Sequence, residues 1–255
     1  MKNKSVVIIP ARYASTRLPR KLLLNETGKP LIQYVYEAAL KATLPESVSV
    51  ACDHQEIFAA VESFGGTVFM TDPNAQSGTD RVAEVAAKMN DVDIVVNVQG
   101  DEPEIAGVSI DLVIRMLVDY PHAVAATLAT PIRNRQQLED SACVKVVFDQ
   151  TGRALYFSRS VIPYPRNGIT AELFQHEPPL FYQHVGMYAY RRDFLLSLSR
   201  LPQSDAEKTE SLEQLRVLHH GFGMMVGVIN EPTFGIDTPE DYQRFVEKLS
   251  FRHSE

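Results

Sequence analysis

The stretch Val6-Val7-Ile8-Ile9-Pro10-Ala11-Arg12-Tyr13-Ala14-Ser15-Thr16-Arg17-Leu18-Pro19-Arg20-Lys21 decides the fold. Four consecutive β-branched apolar residues, Val6 to Ile9, read as a strand buried on both faces, and Pro10, which has no N–H for a ladder, is expected to end its pairing. The residues after Pro10 carry four cations, Arg12, Arg17, Arg20 and Lys21. A loop of that charge at the carboxyl end of a first buried strand lies where open α/β sheets bind ligands, and its cations call for an anion. The same run also fits a solvated basic surface loop.

Working outward, the pattern alternates. A helix is expected over 30–43, with Pro30 as its first residue and Leu31, Tyr34, Val35, Ala38 and Ala42 on one stripe. A strand over 48–52, a helix over 55–64 ended by Gly65-Gly66, a strand over 67–70, a polar loop over 71–77, a helix over 78–89 and a strand over 94–98 follow. This is the pattern of a parallel sheet with right-handed crossovers, so the loops after its first four strands open on one edge and converge.

The second half is less regular. It reads as a helix over 107–119, a strand over 123–129, a hairpin of 144–148 and 154–157 around a four-residue turn, and a strand over 184–191. A helix over 211–219, a strand over 224–229 and a closing helix from Pro239 complete it, the last capped by Thr238 with Asp241 three residues on. Residues 163–179, rich in proline, are an excursion, either a lid or a dimer contact. No Gly/Ser-rich linker divides the chain, so residues 1–255 are expected to form a single α/β domain with an antiparallel extension.

The 45% apolar and 22% charged content is that of an ordinary globular protein. The formal net charge of −7 speaks against a nucleic-acid partner. That charge is uneven, because residues 1–30 hold seven of the 25 bases and one, Glu26, of the 32 acids. A positive patch on a negative body suits a small polyanion. No apolar run approaches the ~20 residues a bilayer requires, and only four apolar residues precede Pro10, too few for a signal-peptide core; a cytoplasmic protein with no membrane partner is expected. The two cysteines, Cys52 and Cys143, sit in apolar runs and read as core.

Neither a G-x-x-x-x-G-K-[ST] loop nor a G-x-G-x-x-G turn follows the first strand, so cationic side chains and loop amides must hold the anion. A triphosphate also needs a divalent ion, usually on strand-end carboxylates; Asp101, Glu102 and Asp237 are the candidates, although Asp101 also reads as a turn residue and Asp237 as a flank of the Thr238 cap.

Seven blocks in order, Ile9–Pro19 with Lys21, Gln76-Ser77-Gly78-Thr79, Asn97–Pro103, Val144–Val147, Ala154–Arg159, Leu212–Arg216 and Gly235–Asp241, resemble the motif series of the 3-deoxy-manno-octulosonate cytidylyltransferase (CMP-Kdo synthetase) family. The resemblance implies a Rossmann-like nucleotide-diphospho-sugar transferase fold, a mostly parallel sheet with helices on both faces, and a homodimer. It also implies Mg²⁺-dependent transfer from CTP to the acid sugar Kdo, for lipopolysaccharide biosynthesis. Carried over by residue, Arg12, Arg17 and Lys21 would neutralise the triphosphate and its pyrophosphate leaving group, and Asp101 and Asp237 would bind Mg²⁺, Asp101 taking part in catalysis. Ala11, Arg12, Lys21, Ser77, Gly78 and Arg81 would frame CTP. Gln99, Arg159, His184, Tyr188, Glu213 and Gln214 would line the Kdo pocket.

Two positions depart from the family pattern. Arg20 stands where glycine is usual, which predicts that no positive φ is obligatory there, and Asp80 replaces a common glutamate, its carboxylate expected at a helix start. A cytidylyltransferase for another acid sugar, such as a sialic acid, would share the triphosphate apparatus, whereas an inactive nucleotide-binding regulator would predict damage to the metal carboxylates or triphosphate cations, and all of these are present.

Overall fold

Nothing but apolar side chains lies between Val6 and Ile9, and the chain answers by burying that run completely: Val7, Ile8 and Ile9 have no exposed surface. The computed structural model describes residues 3–230 and 234–252. The chain packs as two units, one holding the residues up to 111 and those from 234 onward, the other holding the residues between.

In the first unit, β1 (Ser5–Ala11), α1 (Leu31–Ala39), β2 (Ser47–Cys52), α2 (Gln55–Ser63), β3 (Val68–Met70), α3 (Gly78–Ala87) and β4 (Ile94–Asn97) alternate. The helix α4 (Gly107–Asp119) follows them. The strands are ordered β3-β2-β1-β4 and every pair is parallel, as the alternation requires.

Pairing does not stop at Pro10. The register runs on with Pro10 opposite Ala51 and Ala11 opposite Cys52, because a parallel bridge draws on alternate residues and one missing N–H does not end it. Helix α1 closes at Ala39, four residues short of the expected end. Bonds from Lys41 N to Ala38 O and from Ala42 N to Ala39 O tighten the chain there. The amides of Thr43 and Leu44 and the Thr43 hydroxyl then donate to the buried Asp111 carboxylate, at 2.7 to 2.9 Å. Its buried face is also wider than the stripe, since Ile32, Tyr36 and Ala39 are inside and Tyr34 is partly exposed. Tyr36 earns that place through its hydroxyl, which donates to Val48 O and accepts from Thr67 N.

The second unit is mixed: β5 (Ala123–Pro131), α5 (Arg135–Glu139), β6 (Lys145–Phe148), β7 (Ala154–Ser158), β8 (Tyr182–Arg191), α6 (Arg192–Leu198), α7 (Asp205–Glu210), α8 (Gln214–His219) and β9 (Gly223–Val228). β5 is antiparallel to β8 and parallel to β9, and β6 pairs antiparallel with β7 and β8. The expected hairpin forms, its turn held by the Asp149 carboxylate, which accepts from Thr151 N and Arg153 N.

One expected helix is shortened. The 211–219 reading becomes α8, which begins only at Gln214, and an unexpected helix, α7, precedes it and ends at Ser211, whose φ is 52°. Ser204 caps α7 by accepting from Glu207 N at 3.1 Å, but the Glu207 carboxylate does not close a capping box. It turns to the buried Arg216 guanidinium at 2.9 and 2.5 Å. The 163–179 segment does not simply leave the fold. Ile169, Leu173 and Phe174 pack on a cluster of Ile132, Leu138, Cys143 and Phe181.

Helix α9 (Pro239–Arg252) returns to the first unit. Its start matches the reading: Thr238 Oγ1 accepts from Asp241 N, and the Asp241 carboxylate accepts from Thr238 N. No helix among the described residues is long and apolar enough to cross a membrane.

The Asp111 carboxylate holds three donors and has no cationic partner among the described residues. Asp111→Ala is therefore expected to cost about 2 kcal/mol or more in urea unfolding, by leaving those donors without a partner.

Candidate active site

The order β3-β2-β1-β4 means that the first crossovers wind to one side of β1 and the last returns on its other side. The crevice beyond the carboxyl ends of β1 and β4 is a topological switch point. The two strand ends approach closely there. A Cβ on Gly100 would lie 2.8 Å from the Pro10 carbonyl oxygen, so no larger residue fits without moving backbone.

A cavity of about 370 Å³ opens at this point, walled by Pro10, Arg12, Arg17, Lys21, Ser77, Gly78, Arg81, Gln99, Gly100, Asp101 and Asp237. Its floor is electrostatic. Lys21, its side chain 10% exposed, sets Nζ 2.6 Å from Asp101 Oδ2 and 3.0 Å from Asp237 Oδ1. Arg17 reaches Asp237 Oδ2 at 2.9 Å, and Ile236 N donates to Asp101 O at 2.9 Å. Three segments distant in sequence are thus joined by one ammonium. Arg12 is exposed on the wall with no ion pair among the described residues.

The remaining nucleotide-side residues divide. Gly78 and Ser77 lie at the start of α3, where the Ser77 hydroxyl accepts from Asp80 N and donates to Asp80 Oδ2. Asp80 therefore faces the helix start as expected, and the Ser77 side chain is committed to the cap. Ala11 is fully buried and does not wall the cavity. Glu102 is buried beside Asp101 and is likewise outside the wall. The Arg81 guanidinium, almost wholly buried, bonds Thr71 Oγ1, Asp72 O at 3.1 Å and Asp53 Oδ2 at 3.2 Å. Asp53, at the end of β2, was legible only as one of the converging strand ends.

Arg20 contradicts the sequence expectation. It has φ 54° and ψ 29°, in the left-handed region, and opens the short 3-10 turn Lys21–Leu23. Substitution of glycine did not remove the positive φ, because Lys21 must turn inward there.

In the second unit, Arg159 follows β7 and is heavily braced. Its Nε donates to Glu210 O at 2.7 Å, its Nη1 to Ser141 O at 3.0 Å and its amide to Glu210 Oε2 at 2.5 Å. Its carbonyl accepts from the fully buried Lys145, whose Nζ also donates to Asp140 O and Cys143 O. Burial pulls the Lys145 ammonium below the usual lysine range. Neither Lys145 nor Glu210 was singled out from the sequence as a brace, since nothing local marks a lysine on a strand as internal.

His184 on β8 stacks edge-on against Phe157, 5.0 Å between centroids, and lies 5.4 Å from the Tyr188 ring. Thr127 Oγ1 is 2.9 Å from His184 Nε2 and within 3.1 Å of the Val185 and Met187 carbonyls. A hydroxyl has one proton, and the carbonyls claim it, so Thr127 accepts from a protonated Nε2 and leaves Nδ1 as an acceptor. Desolvation lowers the His184 pKa to about 3, and the imidazole is neutral. Burial, with Glu213 nearby, raises the Tyr188 phenol well above its usual value. Gln214 is buried at the start of α8, next to Glu213.

Residues 6–226 match the family model for cytidylyltransferases. A 3-deoxy-manno-octulosonate cytidylyltransferase from Geobacter metallireducens is 48% identical over 250 residues, covering 97% of this chain and 98% of the relative. One from Rhodopirellula baltica is 46% identical over 246 residues, covering 96% and 98%. The chain belongs to the 3-deoxy-manno-octulosonate cytidylyltransferase family. Among solved structures, CMP:2-keto-3-deoxy-manno-octonic acid synthetase complexed with CTP superposes with a TM-score of 0.90 at 42% identity, covering 98% of this chain and all of the other. The α/β fold of that family is therefore the fold of this chain. A cytidylyltransferase from Leptospira borgpetersenii, at 17% identity and TM-score 0.62, shares the fold.

For this member of the family, the depressed His184 pKa has a measurable consequence. The unfolded imidazole takes up its proton near 6.5 and the folded one near 3. Stability contributed by the neutral ring is complete above the unfolded value, is lost as pH falls through that window, and changes no further below it. His184→Gln is expected to flatten the pH dependence of urea unfolding between about pH 4 and 6 by up to about 1.4 kcal/mol per pH unit. An unchanged slope would mean that the folded ring carries a proton.

Proposed function

We propose that this chain transfers the cytidylyl group of CTP to Kdo, forming CMP-Kdo and pyrophosphate, the activation step for lipopolysaccharide assembly. One observation carries the reading: Lys21, Asp101 and Asp237 converge in the switch-point cavity of a chain 46–48% identical, over nearly its whole length, to Kdo cytidylyltransferases. A hydroxyl oxygen of the sugar attacks the α-phosphorus, the bond from that phosphorus to the bridging oxygen breaks, pyrophosphate leaves, and the hydroxyl proton is released.

Negative charge grows on the leaving pyrophosphate as that bond lengthens. Arg12, Arg17 and Lys21 border one cavity and supply fixed positive charge for it. In the ligand-free chain Lys21 and Arg17 are held by Asp101 and Asp237, so the triphosphate competes with carboxylates for them. The acids suit a metal. Oδ2 of Asp101 and Oδ1 of Asp237 both lie within 3.0 Å of one ammonium, and two converging carboxylates with room for phosphate oxygens are the hard donor set that Mg²⁺ takes. Asp101 and Asp237 would hold Mg²⁺, which when bound would offset phosphate charge and favour ionisation of the attacking hydroxyl.

Gly78, Arg81 and the backbone at Ala11 and Ser77 are assigned to CTP. Gln99 borders the nucleotide cavity, and Arg159, His184, Tyr188, Glu213 and Gln214 of the second unit are the residues we assign to Kdo. Arg159 Nη2 makes no hydrogen bond among the described residues and is assigned to the sugar carboxylate. His184 Nδ1 accepts from a sugar hydroxyl. A cytoplasmic homodimer belongs to the same proposal, and the two buried free thiols, Cys52 and Cys143, are compatible with a reducing compartment.

Pyrophosphate release from CTP with Mg²⁺ and a panel of acid sugars tests the assignment. Turnover with Kdo is expected, and turnover with sialic acid but not Kdo would overturn it. Asp101→Asn is expected to lower kcat by about 100-fold or more while the CTP Kd from calorimetry changes by less than about fivefold. Unchanged kcat would remove Asp101 from the metal role.

A further inference from the structure

Arg20 is one of four cations on the loop after β1, and it does not line the cavity that Arg12, Arg17 and Lys21 share. It is also one of two residues other than glycine with positive φ among the described residues. A side chain held at that backbone needs a compensating contact. Its guanidinium carbon stands 5.2 Å from the centre of the Tyr13 ring, and Nη1 is 3.6 Å from Glu56 Oε2.

Tyr13 is fixed at every polar atom of its side and main-chain donor set. Its amide donates to Asp53 Oδ1 at 2.8 Å and its hydroxyl to Glu56 Oε1 at 2.9 Å. Its ring stacks on His54, centroids 3.7 Å apart and planes 16° from parallel. The seat is itself rigid, because His54 caps α2 through Glu56 N and Asp53 is held by the buried Arg81. Tyr13 lies next to Arg12, and Arg20 lies next to Lys21. The two residues that meet are thus the inner neighbours of the two cations at the loop's ends.

We propose that Tyr13 and Arg20 form a clasp, seated on Asp53, His54 and Glu56, that closes the cationic loop and positions Arg12, Arg17 and Lys21 toward the nucleotide triphosphate. Neither residue touches the nucleotide; both are positioning residues. The clasp rests on the reading of the cavity as the CTP site. It accounts for a strained arginine at a position whose only local demand is a turn. Cation–π contact and a shared glutamate supply the attraction that a glycine in the same turn would lack. Order in the loop before binding lowers the cost of gathering its cations around a polyanion.

The full-length enzyme with Tyr13→Leu, Arg20→Ala, both together, Arg20→Gly and Arg20→Lys tests this. Calorimetric CTP binding, steady-state kinetics for both substrates and thermal unfolding are the readouts. Each of the first two variants is expected to weaken CTP binding about tenfold, and the double variant no more than the worse single, with the KM for Kdo within about twofold of the parent. Arg20→Gly removes both strain and clasp, so its Tm is expected to match or exceed the parent while CTP binding weakens. Arg20→Lys restores part of the affinity. CTP binding within about twofold of the parent in Arg20→Gly, effects that multiply in the double variant, or an equal rise in the Kdo KM would each overturn the clasp. Weakened CTP binding in these variants, of a parent enzyme that turns over no Kdo, would support the clasp and refute the sugar assignment.

Discussion

A nearly buried ammonium held between two carboxylates organises the first unit. Lys21 reaches the end of β4 through Asp101 and the segment before α9 through Asp237. Removing the carboxylates would leave the nearly buried ammonium uncompensated, which costs far more than the net worth of the pair. The constraint propagates backward along the chain. For Lys21 to turn inward, Arg20 must adopt a left-handed backbone, and the loop from Arg12 onward must fold over the ends of β1 and β2. It also propagates forward, since the bond from Ile236 to the Asp101 carbonyl brings the C-terminal segment to the strand ends.

Internal cations recur as braces behind the residues that face outward. Arg81, in the cavity wall, gathers Thr71, Asp72 and Asp53. Lys145 gathers the carbonyls of Asp140, Cys143 and Arg159, and Arg216 takes the Glu207 carboxylate in a fork. Each is satisfied by several acceptors, as burial of a charge requires. Lys145 and Arg216 hold second-unit segments in place, while Arg81 and Lys21 brace and also line the cavity, with their partners already in hand.

The β1 run, the alternation through β4 and the acid-bearing turn after β4 were legible because each is a local pattern of period, charge or breaker residue. The left-handed turn at Ser211 and the three short helices α5, α6 and α7 were not, because helices of five to seven residues carry too few turns to show a stripe. Ser204 and Glu207 do spell a capping box, but Arg216, nine residues later, takes the carboxylate. A local signal was present there and a tertiary contact redirected it.

By itself, then, the amino-acid order determined the α/β class, the basic loop after the first strand, the acids at Asp101 and Asp237 and the family to which these belong, since all of them are written in contiguous motifs. Only the tertiary structure decided which charges meet. The Lys21 bonds to Asp101 and Asp237, the burial of Arg81 and Lys145, the tautomer of His184 and the positive φ of Arg20 each depend on atoms brought from elsewhere in the chain. A pairing energy between groups eighty or two hundred residues apart leaves no trace in the local pattern of either partner.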